Sequence, residues 1–184
     1  MGCLFLGWET FVYLGISRNF TTNRTMSYLF IFVFSIFCFI IYLDRSYSHR
    51  IVRKELEKLA KFQSKICLKK FNVKCSTFTS GRKNLGFHYR KADLYFMEDA
   101  FIIVGFYTLF SKKIYRSILI LTNEIELYKQ VFNKADEITI PNQLNIKSSN
   151  GEVYIDFGKP SFTSTNVLIR LKYLSDFEKK LIKI

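Results

Sequence analysis

Two histidines, His49 and His88, and four cysteines, at positions 3, 38, 67 and 75, are the residues best suited to nucleophilic or metal chemistry. A thiol is activated by a base within hydrogen-bond reach. Cys75 and His88 could supply that pair, but no third group in the sequence would orient the imidazole. Cys67 and Cys75 are eight apart, which matches no zinc-knuckle spacing, and the cysteines read as reduced thiols. Asp93, Glu98 and Asp99 read as hairpin edges, and Glu124, Glu126, Asp136 and Glu137 as a solvated edge. The glycines at 81, 86, 105, 151 and 158 are scattered like turn and bulge glycines and do not form a phosphate-cradling loop. No catalytic residue, cofactor or metal site is therefore expected, and a non-enzymatic role follows.

The side chains left to carry function are cations. The formal net charge is +13, and 26 basic against 14 acidic residues lie from Asp44 onward. Such a surface attracts anionic lipid headgroups, nucleic acid or an acidic protein. Arg50, Arg53 and Lys54, the pair Arg82-Lys83, and Lys112, Lys113 and Arg116 are candidate contacts for anionic lipid or a partner. The competing reading is solubility charge on strand edges, where Lys also blocks edge pairing. No groove-reading helix or RNA-stacking strand motif is present, so specific nucleic-acid binding is not expected.

These cations follow a run without charge, Met26–Leu43. Eighteen helical residues span about 27 Å, near the low end for a bilayer crossing. Tyr28 and Tyr42 sit at its two ends as an interfacial belt would, with Phe32, Phe34, Phe37 and Ile40 between them. The chain continues Ile-Tyr-Leu-Asp-Arg after Ile40, with no small-residue cleavage site. The run predicts one retained transmembrane helix over 26–43. Arg18 and Arg24 precede it, whereas nine basic residues from Arg45 to Lys70 follow it. The positive-inside rule then puts the C-terminal part in the cytoplasm, in a bacterial inner or plasma membrane. Residues 1–25 are an uncertain segment, and a start at Met26 is the alternative.

Over 44–70 the sequence predicts a basic amphipathic linker helix. Val52, Leu56, Leu59, Phe62 and Ile66 form one apolar stripe that either packs on the following domain or pairs with a second copy, while the basic face could lie on lipid. From 71 to 184 the pattern is strand-like, with runs at 73–79, 92–99, 100–106, 114–122, 124–132, 137–140, 143–149, 152–158 and 164–174. Asn150-Gly151 is the strongest hairpin signal. Ser175 and Glu178 form a capping box opening a short helix with Phe177, Leu181 and Ile184 on one face. Short strands followed by one helix predict a mainly β fold: a closed or nearly closed antiparallel barrel or sandwich, with the C-terminal helix capping a barrel's open end.

The stretches RKADLYFMEDAFIIVGF (90–106) and NVLIRLKYLSDFEKKLIKI (166–184) resemble the pleckstrin-homology-like superfold, and more closely bacterial PH-like and GRAM-like domains carried behind membrane anchors. The resemblance is one of strand order over roughly 85–184. It implies a binding module, and in its phosphoinositide-binding members basic residues surround the loop joining the first two strands. That loop holds Glu98 and Asp99 if the first strand contains Leu94–Phe96, or Arg82 and Lys83 if it is 73–79. The expected function is a membrane-tethered interaction or scaffold module with an unassigned protein partner. The alternatives are an anionic-lipid-binding domain, and a structural homo-oligomer or enzyme accessory subunit.

Overall fold

The computed structural model describes residues 23–81, 87–146, 151–158 and 165–182. Helix α1 runs Asn23–Lys58 and passes into a 3-10 helix, Leu59–Lys65. The chain divides between Leu43 and Asp44 into two units. In the first, the helix is long and apolar enough to cross a membrane, with a mean hydropathy of 2.1 over its most apolar window, none of it buried. Its one hydroxyl within the Phe/Ile run, Ser35, donates to the Ile31 carbonyl at 2.7 Å, so the run presents no unsatisfied side-chain donor there.

The second unit holds the strands β1 (Ile66–Gly81), β2 (Lys91–Met97), β3 (Ala100–Leu109), β4 (Lys112–Thr122), β5 (Glu137–Thr139), β6 (Gln143–Asn145), β7 (Val153–Phe157) and β8 (Thr165–Leu171). Helix α2 (Ile125–Val131) links β4 to β5, and α3 (Asp176–Lys180) follows β8. The strands form one curled sheet, a half-barrel, in the order β5-β4-β3-β2-β1-β8-β7-β6. Strand β1 makes the corner. Its first half pairs with β2 and its second half, Cys75–Gly81, pairs with β8. Within the half paired to β2 the register shifts between Lys70 and Val73, and Asn72 takes φ +59°. Asparagine tolerates that left-handed backbone, and a bulge bends its strand. The Asn72 N–H donates to the buried Asp93 carboxylate at 2.9 Å, which fixes the bend.

Two apolar layers result. One fills the curl: Leu94, Phe96, Phe101, Ile103, Leu119 and Leu121 face Val153, Ile155, Phe157, Val167, Ile169 and Leu171. The other lies on the outer face of β2–β4, where Met97, Ile102, Val104, Ile118 and Ile120 meet Val52, Leu59, Tyr128 and Phe132. Each fully buried side chain of this size contributes about 1.5–3 kcal/mol. The stripe Val52–Ile66 therefore packs on its own domain.

The structure differs from the sequence expectations at four places. The helix ends at Lys58 and β1 begins at Ile66, so 66–70 is strand and not linker helix. Residues 125–131 are helix α2 and not strand, because Tyr128 and Phe132, four apart, stack on each other and both pack against Phe62. The sheet is mixed and, among the described residues, open: β4 and β5 are parallel, and β5 and β6 are its edges. The α3 capping box forms, with the Glu178 N–H donating to Ser175 Oγ at 3.2 Å and the Ser175 N–H to the Glu178 carboxylate at 2.7 Å. Phe177, however, is exposed, and Leu181 and Ile182 are the side chains that reach the core. Ile184 and the turn at 147–150 lie outside the described residues.

Candidate functional site

Helix α1 presents Tyr47, Arg50, Ile51, Lys54, Glu55 and Lys58 at spacings of three and one, hence along one face. Asn133 and Lys134, just after α2, form the opposite wall of a cleft of about 420 Å³. The sheet positions both walls: Val52 and Leu59 bury into β2–β4 from the helix, and Tyr128 and Phe132 bury into the same layer from α2.

Lys58 ties the walls together. Its ammonium donates to Glu55 Oε1 at 2.7 Å, to the Val131 carbonyl at 2.8 Å and to Asn133 Oδ1 at 3.1 Å. Those three bonds use all its donors. Glu55 is 2% exposed, and its Oε2 is buried without a hydrogen-bond partner. Arg50, Lys54 and Lys134 are exposed and form no ion pair among the described residues. The cleft thus carries four cations against one carboxylate, with three cations uncommitted. It suits an anionic group.

The other candidate residues are dispersed. Arg53 lies outside the cleft, 3.8 Å from Glu57. Arg82 and Lys83 lie outside the described residues. Lys113 pairs with Asp93 at 3.0 Å and sits 4.6 Å from the Phe106 ring centre, and Arg116 pairs with Asp44 at 3.3 Å. They do not form a free basic patch, and Lys112 alone of that group stays exposed without an ion pair among the described residues. Tyr28, Phe32, Phe34, Phe37, Ile40 and Tyr42, expected as a membrane anchor, are all exposed on α1. Lys58, Lys134, Glu55 and Tyr47 were absent from the sequence-based set. The stripe Tyr47, Arg50, Lys54, Lys58 was legible at helical spacing, but Lys134 was not.

The groups suited to catalysis are held structurally. His49 Nδ1 accepts from the Tyr115 N–H at 3.1 Å while its ring stacks on Tyr115. Burial, and secondarily Arg53, lowers the imidazole pKa, which favours the neutral acceptor. Burial pushes the Cys75 thiol up to about 12, far from thiolate formation at neutral pH. Asp99 accepts from Lys65 at 2.6 Å and from the Tyr128 hydroxyl at 2.7 Å. Burial alone would raise its carboxyl pKa, but those two bonds hold it below the usual range. No group of three His, Cys, Asp or Glu side chains suited to a metal occurs among the described residues.

No family model matches the chain, and no curated protein or solved structure matches it either.

Proposed function

We propose that this chain is a non-catalytic, membrane-tethered binding module whose cleft takes an anionic lipid headgroup. The carrying observation is the cleft itself: Arg50, Lys54 and Lys134 converge without carboxylate partners among the described residues, and Arg50 stands seven residues after Leu43, where the apolar run ends. A phosphodiester would be held by the cations Arg50, Lys54 and Lys134. Tethering keeps such a ligand at high effective concentration, so modest contacts suffice.

The basic excess after Asp44 supports a cytoplasmic placement of the 44–184 unit. A meander β1–β4, a second set β6–β8 returning onto bent β1, and Leu181 and Ile182 after α3 on the core support a PH-like reading of this unit. Both sheet edges are three residues long, which gives little ladder for a peptide strand to extend.

The test is binding by the full chain in zwitterionic detergent. Short-chain phosphatidylglycerol should bind saturably, weaken with salt, and outcompete phosphatidylcholine of the same chain length. Equal binding of the two lipids would refute the reading. Carbonate extraction of membranes tests the tether separately, since a spanning chain stays with the bilayer.

A further inference from the structure

The β3–β4 hairpin ends in Leu109-Phe110-Ser111-Lys112, with Leu109 paired to Lys112 across a two-residue turn. Phe110 and Ser111 both take positive φ, +45° and +64°. Such turns favour Asn-Gly or Asp-Gly, and a bulky residue in the left-handed region carries strain. Yet Phe110 occupies it with 91% of its surface exposed, and Leu109 beside it is 46% exposed. Neither folding of the turn nor packing of the core explains an aromatic there.

The position of the tip supplies a reason. The Arg45 guanidinium lies over the Tyr107 ring at 5.6 Å, Arg116 pairs with Asp44 at 3.3 Å, and Tyr115 donates to His49 at 3.1 Å. At the far end of β3, Lys65 pairs with Asp99, one residue before Ala100. Helix and hairpin therefore run side by side within the unit, from Asp44 at the tip end to Lys65 at the base. Three strand residues carry Phe110 about 10 Å beyond Tyr107. The tip thus projects at the end of the unit where the chain continues into the apolar run at Leu43.

We propose that Leu109 and Phe110 insert into the headgroup–acyl boundary of the bilayer that holds the apolar helix, with Lys112 on the headgroups. An apolar tip with a flanking cation matches that boundary, as amphipathic interfacial segments do. The strained turn then presents an aromatic to lipid and contributes nothing to the core. This inference rests on the tether reading.

The experiment uses the full chain in phosphatidylcholine–phosphatidylglycerol vesicles. The natural tryptophan is replaced, Trp8→Phe, and Phe110→Trp or, as a control, Phe177→Trp is introduced. Phe177 is also exposed, at 67%, on α3. The Phe110→Trp chain should emit at shorter wavelength than the Phe177→Trp chain. Spin-labelled lipid with the label near the headgroup should quench the Phe110→Trp chain several-fold more strongly. Carbonate extraction of the same vesicles is read in parallel. Retention by the bilayer, with the Phe110→Trp chain quenched no more than the control, overturns the tip insertion alone. Release by carbonate overturns the tether and this placement of the tip together.

Discussion

Reversing Lys54 should weaken headgroup binding about 30-fold, and reversing its neighbour Arg53 should not. Lys54 lines the cleft beside Arg50 and Lys134 with no ion pair of its own among the described residues. A basic residue near an anionic lipid surface contributes about 1 kcal/mol. Lys54→Glu removes one such contribution and installs its opposite, about 2 kcal/mol, or roughly 30-fold in affinity. Arg53→Glu makes the same change in net charge, but from a side chain outside the cleft that is 70% exposed and already near Glu57. At physiological salt the screening length is about 8 Å, so a charge on the neighbouring face acts weakly. Titration calorimetry of the full chain with short-chain phosphatidylglycerol reads both variants, and thermal unfolding checks that each is folded. Equal losses from the two reversals would mean that overall charge, not the cleft, binds the lipid.

Three further outcomes concern the frame of the site. The lowered His49 pKa means the folded state binds the proton less readily than the unfolded chain does. Stability is then full above the ordinary histidine pKa and falls as pH drops through the lowered one, a slope that His49→Asn should flatten in a pH series of melts. Asp99 is depressed as well, so its contribution is present above the usual carboxylate range and is lost as pH falls below it. Asp99→Ala should cost about 1–3 kcal/mol by unpairing Lys65 and Tyr128, and no loss on denaturant unfolding would refute the network. In Gly105→Ala the new Cβ would lie 2.1 Å from Tyr89 Cδ1, inside a ring that is 4% exposed, so about 3 kcal/mol should be lost. In a Tyr89→Ala background the same change should be nearly neutral, and a persisting loss would show that the ring is not the obstacle.

How far the fold could be read depended on how many faces each strand buries. In β7 one face is in the core and the other partly exposed, so Val153, Ile155 and Phe157 alternate with Tyr154 and Asp156 and the strand is plain. Strands β3 and β4 are covered on both faces, which erases alternation and leaves continuous runs such as SILILT. Residues 124–132 misled because Ile125 and Leu127 alternate with Glu124 and Glu126 as in a strand. Tyr128 and Phe132 carry the helical spacing, and Leu127 turns out to be 41% exposed. Over nine residues both periods fit, and the aromatic contact with Phe62 decides between them. The end of α1 was hidden likewise, since Ile66 continues the helical stripe and also begins the strand alternation with Leu68 and Lys70.

The site was less legible for a different reason: composition counts charges and cannot tell which are already spent. Lys113, Arg116 and Arg53 looked equivalent to Arg50 and Lys54, yet carboxylates at Asp93, Asp44 and Glu57 take up the first three. Their partners lie 20, 72 and four residues away in sequence. Only the last of these separations is a local pattern that a helix makes readable. The cleft has the same property. Arg50, Lys54 and Lys58 share a readable helical face, but Lys58 becomes a brace rather than a ligand because Val131 and Asn133 arrive from 73 and 75 residues later. Lys134 comes with them on the same wall. A basic helix after an apolar run would by itself predict only diffuse attraction to lipid. On the proposed lipid reading the second wall would make that attraction local, and that is why neighbours as close as Arg53 and Lys54 should differ.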